Sequence, residues 1–266
     1  MLNIVVCIKQ VLDPEAPASA YKIDADANKV VMSGVPPVIS PFDENAMEAA
    51  LRIKDKQACK ISVISTGKGL SRTVLGKVLA VGGDELYLLD DSEFEDLDSF
   101  ATAALLTAAI KKIGNPDLIL TGRQAADTNA GIVGPGIAVT LGLPCITVAR
   151  KVGVVDGKLR VEKVVPDGYQ VMEIALPCLI TVGNELGEMR VAALQQLVAA
   201  RKKPVTIWTH QDLDVDAALM QRTRLMKLFI PQRDSKCEFV DGDTPEERGA
   251  KLALRIWESK LVKQDK

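Results

Sequence analysis

Hydrophobic positions in the first 190 residues alternate between short unbroken runs and stretches with helical spacing. The unbroken runs predict buried strands at Asn3–Ile8, Ile61–Ser65, Glu85–Leu89 and Leu118–Leu120. One helix is predicted to begin at Pro41, with Ser40 as its cap, and two others are predicted over Ser71–Val81 and Ser99–Ile113. Strands that alternate with helices indicate an α/β fold with a doubly wound, mostly parallel sheet that is covered on both faces.

The pattern changes after this alternation. Leu159–Val165 and Gln170–Ala175 alternate around the turn Pro166-Asp-Gly168, which predicts an antiparallel hairpin. Beyond residue 190 a helix is predicted over Arg190–Lys203, and Thr244-Pro-Glu-Glu247 predicts the start of a last helix. We therefore divide the chain into a nucleotide-binding core, residues 1–190, and a C-terminal arm, residues 191–266, that faces a partner.

The segment Leu118–Leu141 carries the clearest functional signal. It runs from a buried strand through a polar turn into a helix, and Asp127, Thr128 and Asn129 are candidate caps for that helix. Free N–H groups at a helix start attract phosphate, and Arg123 lies just upstream of them. This geometry predicts an anion cradle and, with it, a nucleotide site.

Three further segments lie at the carboxyl ends of predicted strands or at a helix start. They are Cys7–Lys9, Ser40–Asp43 and Ser65-Thr66-Gly67. The polar residues of these segments and of the cradle also have simpler explanations, since Ser40 and Asp43 can form a capping box, Gly67 suits a turn, and Arg123 can pair with surface acids. Their convergence on one edge of an open sheet favours a common ligand pocket.

Composition narrows the classes of function. A net charge of −2 and 4% aromatic residues argue against nucleic acid binding. Five scattered cysteines predict free thiols in a reducing cytoplasm, and the N-terminal apolar run predicts a strand and not a signal peptide. No apolar run is long enough to predict a membrane span.

The residues offer little for side-chain catalysis. The single histidine, His210, stands in a polar stretch without a nucleophile motif, and no cluster has the spacing of metal ligands. The GxGxxG and Walker A motifs are missing as well. We therefore predict no catalytic residue and no metal ligand.

Several motifs together resemble the β-subunit of the electron transfer flavoproteins, the FixA group. They are Val6-Cys-Ile-Lys9, Ser40-Pro-Phe-Asp43-Glu44, Gly122-Arg-Gln-Ala125, Asp127 and Gly134-Pro135. The resemblance covers essentially the whole chain and implies an adenine-nucleotide α-hydrolase-like fold. It also implies a heterodimer with an α-subunit that carries an FAD, and a second nucleotide in the β-subunit. The pocket residues it implies are Cys7, Ile8, Lys9, Ser40, Pro41, Phe42, Asp43, Thr66, Gly67, Gly122, Arg123, Gln124, Ala125, Asp127, Thr128, Asn129, Ala130, Gly131, Ile132 and Val133.

The resemblance leaves two ligands for this pocket. In ordinary members the ligand is AMP, whereas in electron-bifurcating members it is a second FAD that splits electron pairs from NADH between two acceptors, ferredoxin being the low-potential one. Arg123 and the ending Val133-Gly134-Pro135 favour the FAD form, and Asn129 departs from it because bifurcating sequences have a carboxylate there. We expect FAD, with AMP as the alternative.

The resemblance also implies docking on an acyl-CoA dehydrogenase or a related dehydrogenase through a recognition loop with one leucine anchor, which by position is Leu194. The alternative is that Leu194 is a core contact of an amphipathic helix. The basic stretch Arg222–Lys236 departs from the expected family segment. Two other functions compete with electron transfer: a nucleotide-binding stress or regulatory protein, and an adenylating enzyme, which should have a phosphate loop after the first strand.

Overall fold

A nine-stranded mixed sheet forms the centre of the structure. The computed structural model describes residues 1–114, 116–155, 157–215, 221–231 and 237–259. The strands are β1 Leu2–Cys7, β2 Gln10–Val11, β3 Tyr21–Asp24, β4 Lys29–Met32, β5 Val38–Ile39, β6 Cys59–Gly67, β7 Glu85–Asp90, β8 Leu118–Gly122, β9 Cys145–Val155, β10 Lys158–Val165, β11 Gly168–Ile174, β12 Cys178–Val182 and β13 Val205–Trp208. The helices are α1 Pro41–Lys54, α2 Arg72–Leu75, α3 Lys77–Val81, α4 Ser99–Ile113, α5 Val133–Leu141, α6 Leu194–Ala200 and α7 Pro245–Glu258.

The strand order of the large sheet is β11-β10-β9-β12-β8-β1-β6-β7-β13. All neighbours from β9 to β13 in this order pair in parallel, and only β9-β10 and β10-β11 pair antiparallel. The predicted doubly wound α/β fold and the predicted hairpin are confirmed. β13 belongs to this sheet, so the sheet continues past residue 190.

The side chains of β1 show how both faces of the sheet are covered. Ile4 and Val6 pack into one core with α1, whereas Val5 and Cys7 pack into a second core with α4 and α5. α1 leads from β1 to β6 on one side, and α4 leads back to β8 on the other side of β1. The strand order therefore reverses between β1 and β8, which is the place where open α/β sheets bind ligands.

Some predicted element bounds are wrong for physical reasons that the structure makes visible. The helix predicted over Ser71–Val81 is divided into α2 and α3 at Gly76, and the one predicted over Arg190–Lys203 starts only at Leu194. Arg190 lies before α6, where two carboxylates on and just after α1, Glu48 and Asp55, bind its guanidinium group. α4 coincides with its predicted range.

The chain forms two compact units, Met1–Leu228 and Phe229–Lys266. The second unit contains α7, where the Thr244 hydroxyl accepts the N–H of Glu247 at 3.2 Å, as the sequence predicted. In the described part of the chain, no helix combines the length and the hydropathy that crossing a bilayer requires.

Candidate functional site

A cavity of about 830 Å³ opens at the carboxyl ends of β1, β6 and β8. Its volume lies in the upper part of the range that is typical of small-molecule sites. Fifteen of the predicted pocket residues line it: Cys7, Ile8, Lys9, Asp43, Thr66, Gly67, Gly122, Arg123, Gln124, Ala125, Thr128, Ala130, Gly131, Ile132 and Val133. The structure thus brings the predicted strand ends together at the point where the strand order reverses.

Five predicted residues, Ser40, Pro41, Phe42, Asp127 and Asn129, lie outside the cavity lining, and four of them contact residues that line it. Ser40 donates its N–H to the carbonyl of Lys9 at 2.9 Å, and its hydroxyl accepts the N–H of Ala126. Phe42 lies under the Arg123 guanidinium group, 4.7 Å from carbon to ring centroid. Asp127 pairs with Lys9 at 2.7 Å, and the Asn129 amide oxygen accepts from Gln124.

Asp43 holds the two strands at the reversal point together. Its carboxylate accepts the N–H of Lys9 at 2.8 Å and the N–H of Gly122 at 3.0 Å. Desolvation by burial raises the pKa of Asp43 to about 7, although the two N–H groups act in the opposite direction. Burial likewise raises the pKa of the neighbouring Cys7 thiol, which excludes a thiolate nucleophile at neutral pH.

The capping box predicted at Ser40 and Asp43 is wrong. Pro41 begins α1 as predicted, but Ser40 makes no side-chain bond to that helix. Both polar side chains instead bind backbone N–H groups of the loops around the cavity. The local sequence is compatible with both roles, capping the helix and binding a loop. The two roles differ only in the position of loops that are distant in the sequence.

The helix start after β8 also differs from the prediction. α5 begins at Val133, its N-cap residue is Ile132, and none of Asp127, Thr128 and Asn129 caps it. Asn129 and Gly131 have left-handed backbone conformations with φ values of 52° and 66°, which interrupt a helix. The loop therefore extends to Ile132, and the uncapped start of α5 lines the cavity.

Two buried polar atoms at the cavity lack partners. The Thr66 hydroxyl and the Arg123 Nε are shielded from solvent, and neither has a hydrogen-bond partner among the residues that the structure describes. Buried polar groups are nearly always paired, so these two atoms at the cavity leave hydrogen-bonding capacity that a polar ligand can satisfy. A phosphorylated ligand fits this donor set, because a guanidinium group and helix N–H groups both bind phosphate.

Three walls of the cavity were not predicted. They come from the tip of the β3-β4 hairpin, from the loop before α4, and from a segment far along the chain: Ala27–Lys29, Phe94–Ser99 and Gln221–Leu225. All but the first residue of the last range belong to the basic stretch Arg222–Lys236, of which Arg233 and Lys236 lie outside the described residues. The sequences of these walls follow no periodic pattern. Asp98, which caps α4, is the one residue among them whose role the sequence could have indicated.

The described part of the arm places the predicted anchor on the surface. Leu194 is the first residue of α6 and is 77% exposed, so it makes no core contact with the residues that the structure describes. The preceding segment is held by Arg190, which binds Glu48 through its guanidinium group and its backbone N–H. Leu194 therefore projects from an anchored segment.

Comparison with known proteins identifies the group to which this fold belongs. The model of the electron transfer flavoprotein domain family matches residues 28–213. The caffeyl-CoA reductase-Etf complex subunit CarD of Acetobacterium woodii is 35% identical over 98% of this chain and 100% of its own. The electron transfer flavoprotein subunit beta of Clostridium acetobutylicum is 40% identical over 82% of each chain, and protein FixA of Azorhizobium caulinodans is 36% identical over 90% and 89%. The chain belongs to the electron transfer flavoprotein family, as an electron transfer subunit of the beta or FixA type.

Proposed function

We propose that this chain is the β-subunit of a heterodimeric electron transfer flavoprotein and that its cavity holds an adenine nucleotide. The observation that carries the proposal is the pair of unpartnered buried atoms, Thr66 Oγ1 and Arg123 Nε, in the part of the chain that the structure describes, at the reversal point of the sheet. A nucleotide in the cavity would supply hydrogen-bond acceptors for both of these donors. The bound group, and not a protein side chain, supplies the redox chemistry.

The residues of the chain bind and orient this group. Arg123 is positioned by the Phe42 ring and donates its backbone N–H to Val182, so its guanidinium group is pre-organised for a phosphate. The start of α5 offers further N–H groups to the same anion. Asp43 positions the backbone on both sides of the reversal point and keeps these walls in register.

FAD is the ligand we propose, with AMP as the alternative. The cavity volume of about 830 Å³ leaves room beyond a mononucleotide, and the lining extends from the strand ends to the hairpin tip and Leu225. Arg123 in the motif Gly122-Arg-Gln-Ala125, which the resemblance associates with FAD-binding members, also favours FAD. We further propose that the bound FAD bifurcates electrons from NADH, with ferredoxin as the low-potential acceptor.

The proposed electron partner is an acyl-CoA dehydrogenase or a related dehydrogenase. Two relatives carry names of this kind, the caffeyl-CoA reductase-Etf complex subunit of Acetobacterium woodii and the acryloyl-CoA reductase electron transfer subunit gamma of Anaerotignum propionicum. Leu194 is the proposed anchor on that partner, and residues 191–266 are the proposed face toward the α-subunit. The scattered cysteines support a cytoplasmic location.

Co-expression with the α-subunit from the same gene neighbourhood tests the proposal. We expect a yellow heterodimer whose flavin is reduced by, or reduces, the cognate dehydrogenase in a stopped-flow experiment. A colourless and stable monomer, with no flavoprotein partner, would contradict electron transfer and would favour the stress or regulatory alternative.

A further inference from the structure

The segment Gln221–Leu225 belongs to no helix or strand, and all of its residues except Arg222 line the cavity. Its five side chains are all exposed, so apolar burial contributes little to its position. Its position instead depends on hydrogen bonds to two loops that line the same cavity. Gln221 donates its side-chain amide to the carbonyl of Asp96 at 3.1 Å, and the other bonds involve Asp98 and Asn28.

Asp98 has a separate task for each carboxylate oxygen. Oδ1 caps α4 by accepting the N–H groups of Phe100 and Ala101 at 3.0 and 2.8 Å. Oδ2 accepts the N–H groups of Arg222 and Thr223 at 2.6 and 2.7 Å, and the Thr223 hydroxyl at 3.1 Å. One side chain therefore joins a rigid helix to the segment across the cavity.

The other end of the segment is tied to the hairpin tip. Asn28, which has a left-handed backbone conformation with φ 52°, donates its side-chain amide to the carbonyl of Leu225 at 3.5 Å. Its amide oxygen accepts the N–H of Leu228, three residues further along, at 2.7 Å. Its neighbour Lys29 pairs with Glu95 at 2.7 Å, and Glu95 also pairs with Lys68 at 2.6 Å. The hairpin tip, the loop before α4 and the segment thus form one connected rim.

We propose that Asp98 is a latch that holds Gln221–Leu225 against the cavity, and that the cavity ligand is exchanged only when this latch opens. The part that concerns exchange rests on the proposed function. Burial alone would raise the pKa of Asp98, but the N–H groups of Ala101, Arg222 and Thr223 lower it, so the acceptor stays ionised at neutral pH. Exposed hydrogen bonds of this kind open locally, without global unfolding.

Asp98→Asn separates the two tasks. The amide oxygen of the substituted side chain keeps the cap of α4, whereas its NH₂ group faces the N–H groups of Arg222 and Thr223 and cannot accept from them. Asp98→Ser is the second variant, because serine also caps a helix and has no second oxygen. The matched control is Glu93→Gln, which removes a charge from the stretch before α4 at an exposed residue that does not line the cavity.

Two measurements on the heterodimer test the latch. Hydrogen exchange reports the amides of Arg222 and Thr223, and dilution of FAD-loaded protein into excess AMP reports flavin release by fluorescence. We expect both Asp98 variants to speed both processes by at least roughly 10-fold, because two charge-assisted hydrogen bonds are lost, whereas Glu93→Gln should resemble wild type.

Unchanged amide exchange in both Asp98 variants would overturn the latch. Faster amide exchange with unchanged flavin release would overturn its control of the ligand. A wild-type heterodimer that holds no nucleotide in this chain would instead contradict the proposed function, and with it the claim about release, while amide exchange would still decide whether Asp98 holds the segment.

Discussion

The carboxylate of Asp43 accepts the backbone N–H of Gly122 at 3.0 Å, although the two residues lie 79 positions apart. Its other oxygen accepts the N–H of Lys9, so one buried carboxylate joins the ends of β1 and β8. The site depends on this contact because the cavity lies between these strand ends.

Asp43 should make stability depend on pH. Burial raises its pKa from 3.8 to about 7, so the folded protein binds this proton more tightly than the unfolded chain. The contribution of Asp43 to the free energy of unfolding is fully present below about pH 4 and is lost as the pH rises through about 7. Between about pH 5.5 and 8 the free energy of unfolding should fall by on the order of 2 kcal/mol in urea titrations. Asp43→Asn should remove this fall.

Asp117→Asn is the control for that experiment, because Asp117 also accepts a backbone N–H, that of Asn3 at 2.7 Å. This variant should keep the pH dependence of the wild type. If Asp43→Asn keeps it as well, another group is responsible for the dependence.

Arg123→Ala should weaken nucleotide retention in this chain by roughly 10- to 100-fold, because a charged hydrogen bond to the ligand is lost. The FAD of the α-subunit should stay in place. Arg150→Ala is a matched control, since Arg150 also stacks on a ring, that of Tyr169 at 4.5 Å, and does not line the cavity. Equal loss of both nucleotides from Arg123→Ala would mean that Arg123 acts through folding.

Leu194→Ala should slow electron delivery to or from the dehydrogenase without changing the flavin content. Removing an exposed anchor from a binding surface weakens docking and leaves the core intact. Val139→Ala is the control, because Val139 is 82% exposed on α5. A transfer rate with the cognate dehydrogenase that equals the wild-type rate would exclude Leu194 as the anchor.

Arg190→Ala should destabilise the protein by about 1–2 kcal/mol, less than a fully buried pair because the arginine is partly exposed. Glu48 is buried, and burial alone would raise its pKa, but the bonds from Arg190 and Arg52 hold that pKa below its usual value. The stability that Glu48 provides is present above about pH 4.5 and is lost as pH falls through its folded pKa. Arg190→Ala should reduce this acid loss in thermal unfolding.

Arg52→Ala is the comparison for Arg190→Ala. Arg52 donates one bond to Glu48 at 3.1 Å and one to the carbonyl of Leu186 at 2.9 Å, whereas the guanidinium group of Arg190 binds two carboxylates, so removal of Arg52 should cost less stability. It should also leave electron delivery through Leu194 unchanged, whereas Arg190→Ala should slow it. Equal transfer rates in the two variants would show that Arg190 does not position Leu194.

The sequence predicts the sheet and half of the site because both depend on local patterns. Unbroken apolar runs mark β1 and β8, and the polar residues that follow them must meet at one sheet edge. The opposite walls could not be predicted, since Asp98 and Asn28 bind backbone N–H groups 124 and 200 positions away. Such contacts leave no periodic signal. Ser40 and Asp43 show the same limit, because their local pattern fits a helix cap equally well.

Counting the nucleotides released by acid from the purified heterodimer tests the central claim most directly. We predict two FAD per heterodimer, one of them from this chain. One FAD with one AMP would contradict the choice of FAD and keep the cavity as an adenine-nucleotide site. One FAD in the α-subunit and no nucleotide from this chain would contradict the claim that the cavity between β1 and β8 is a cofactor site.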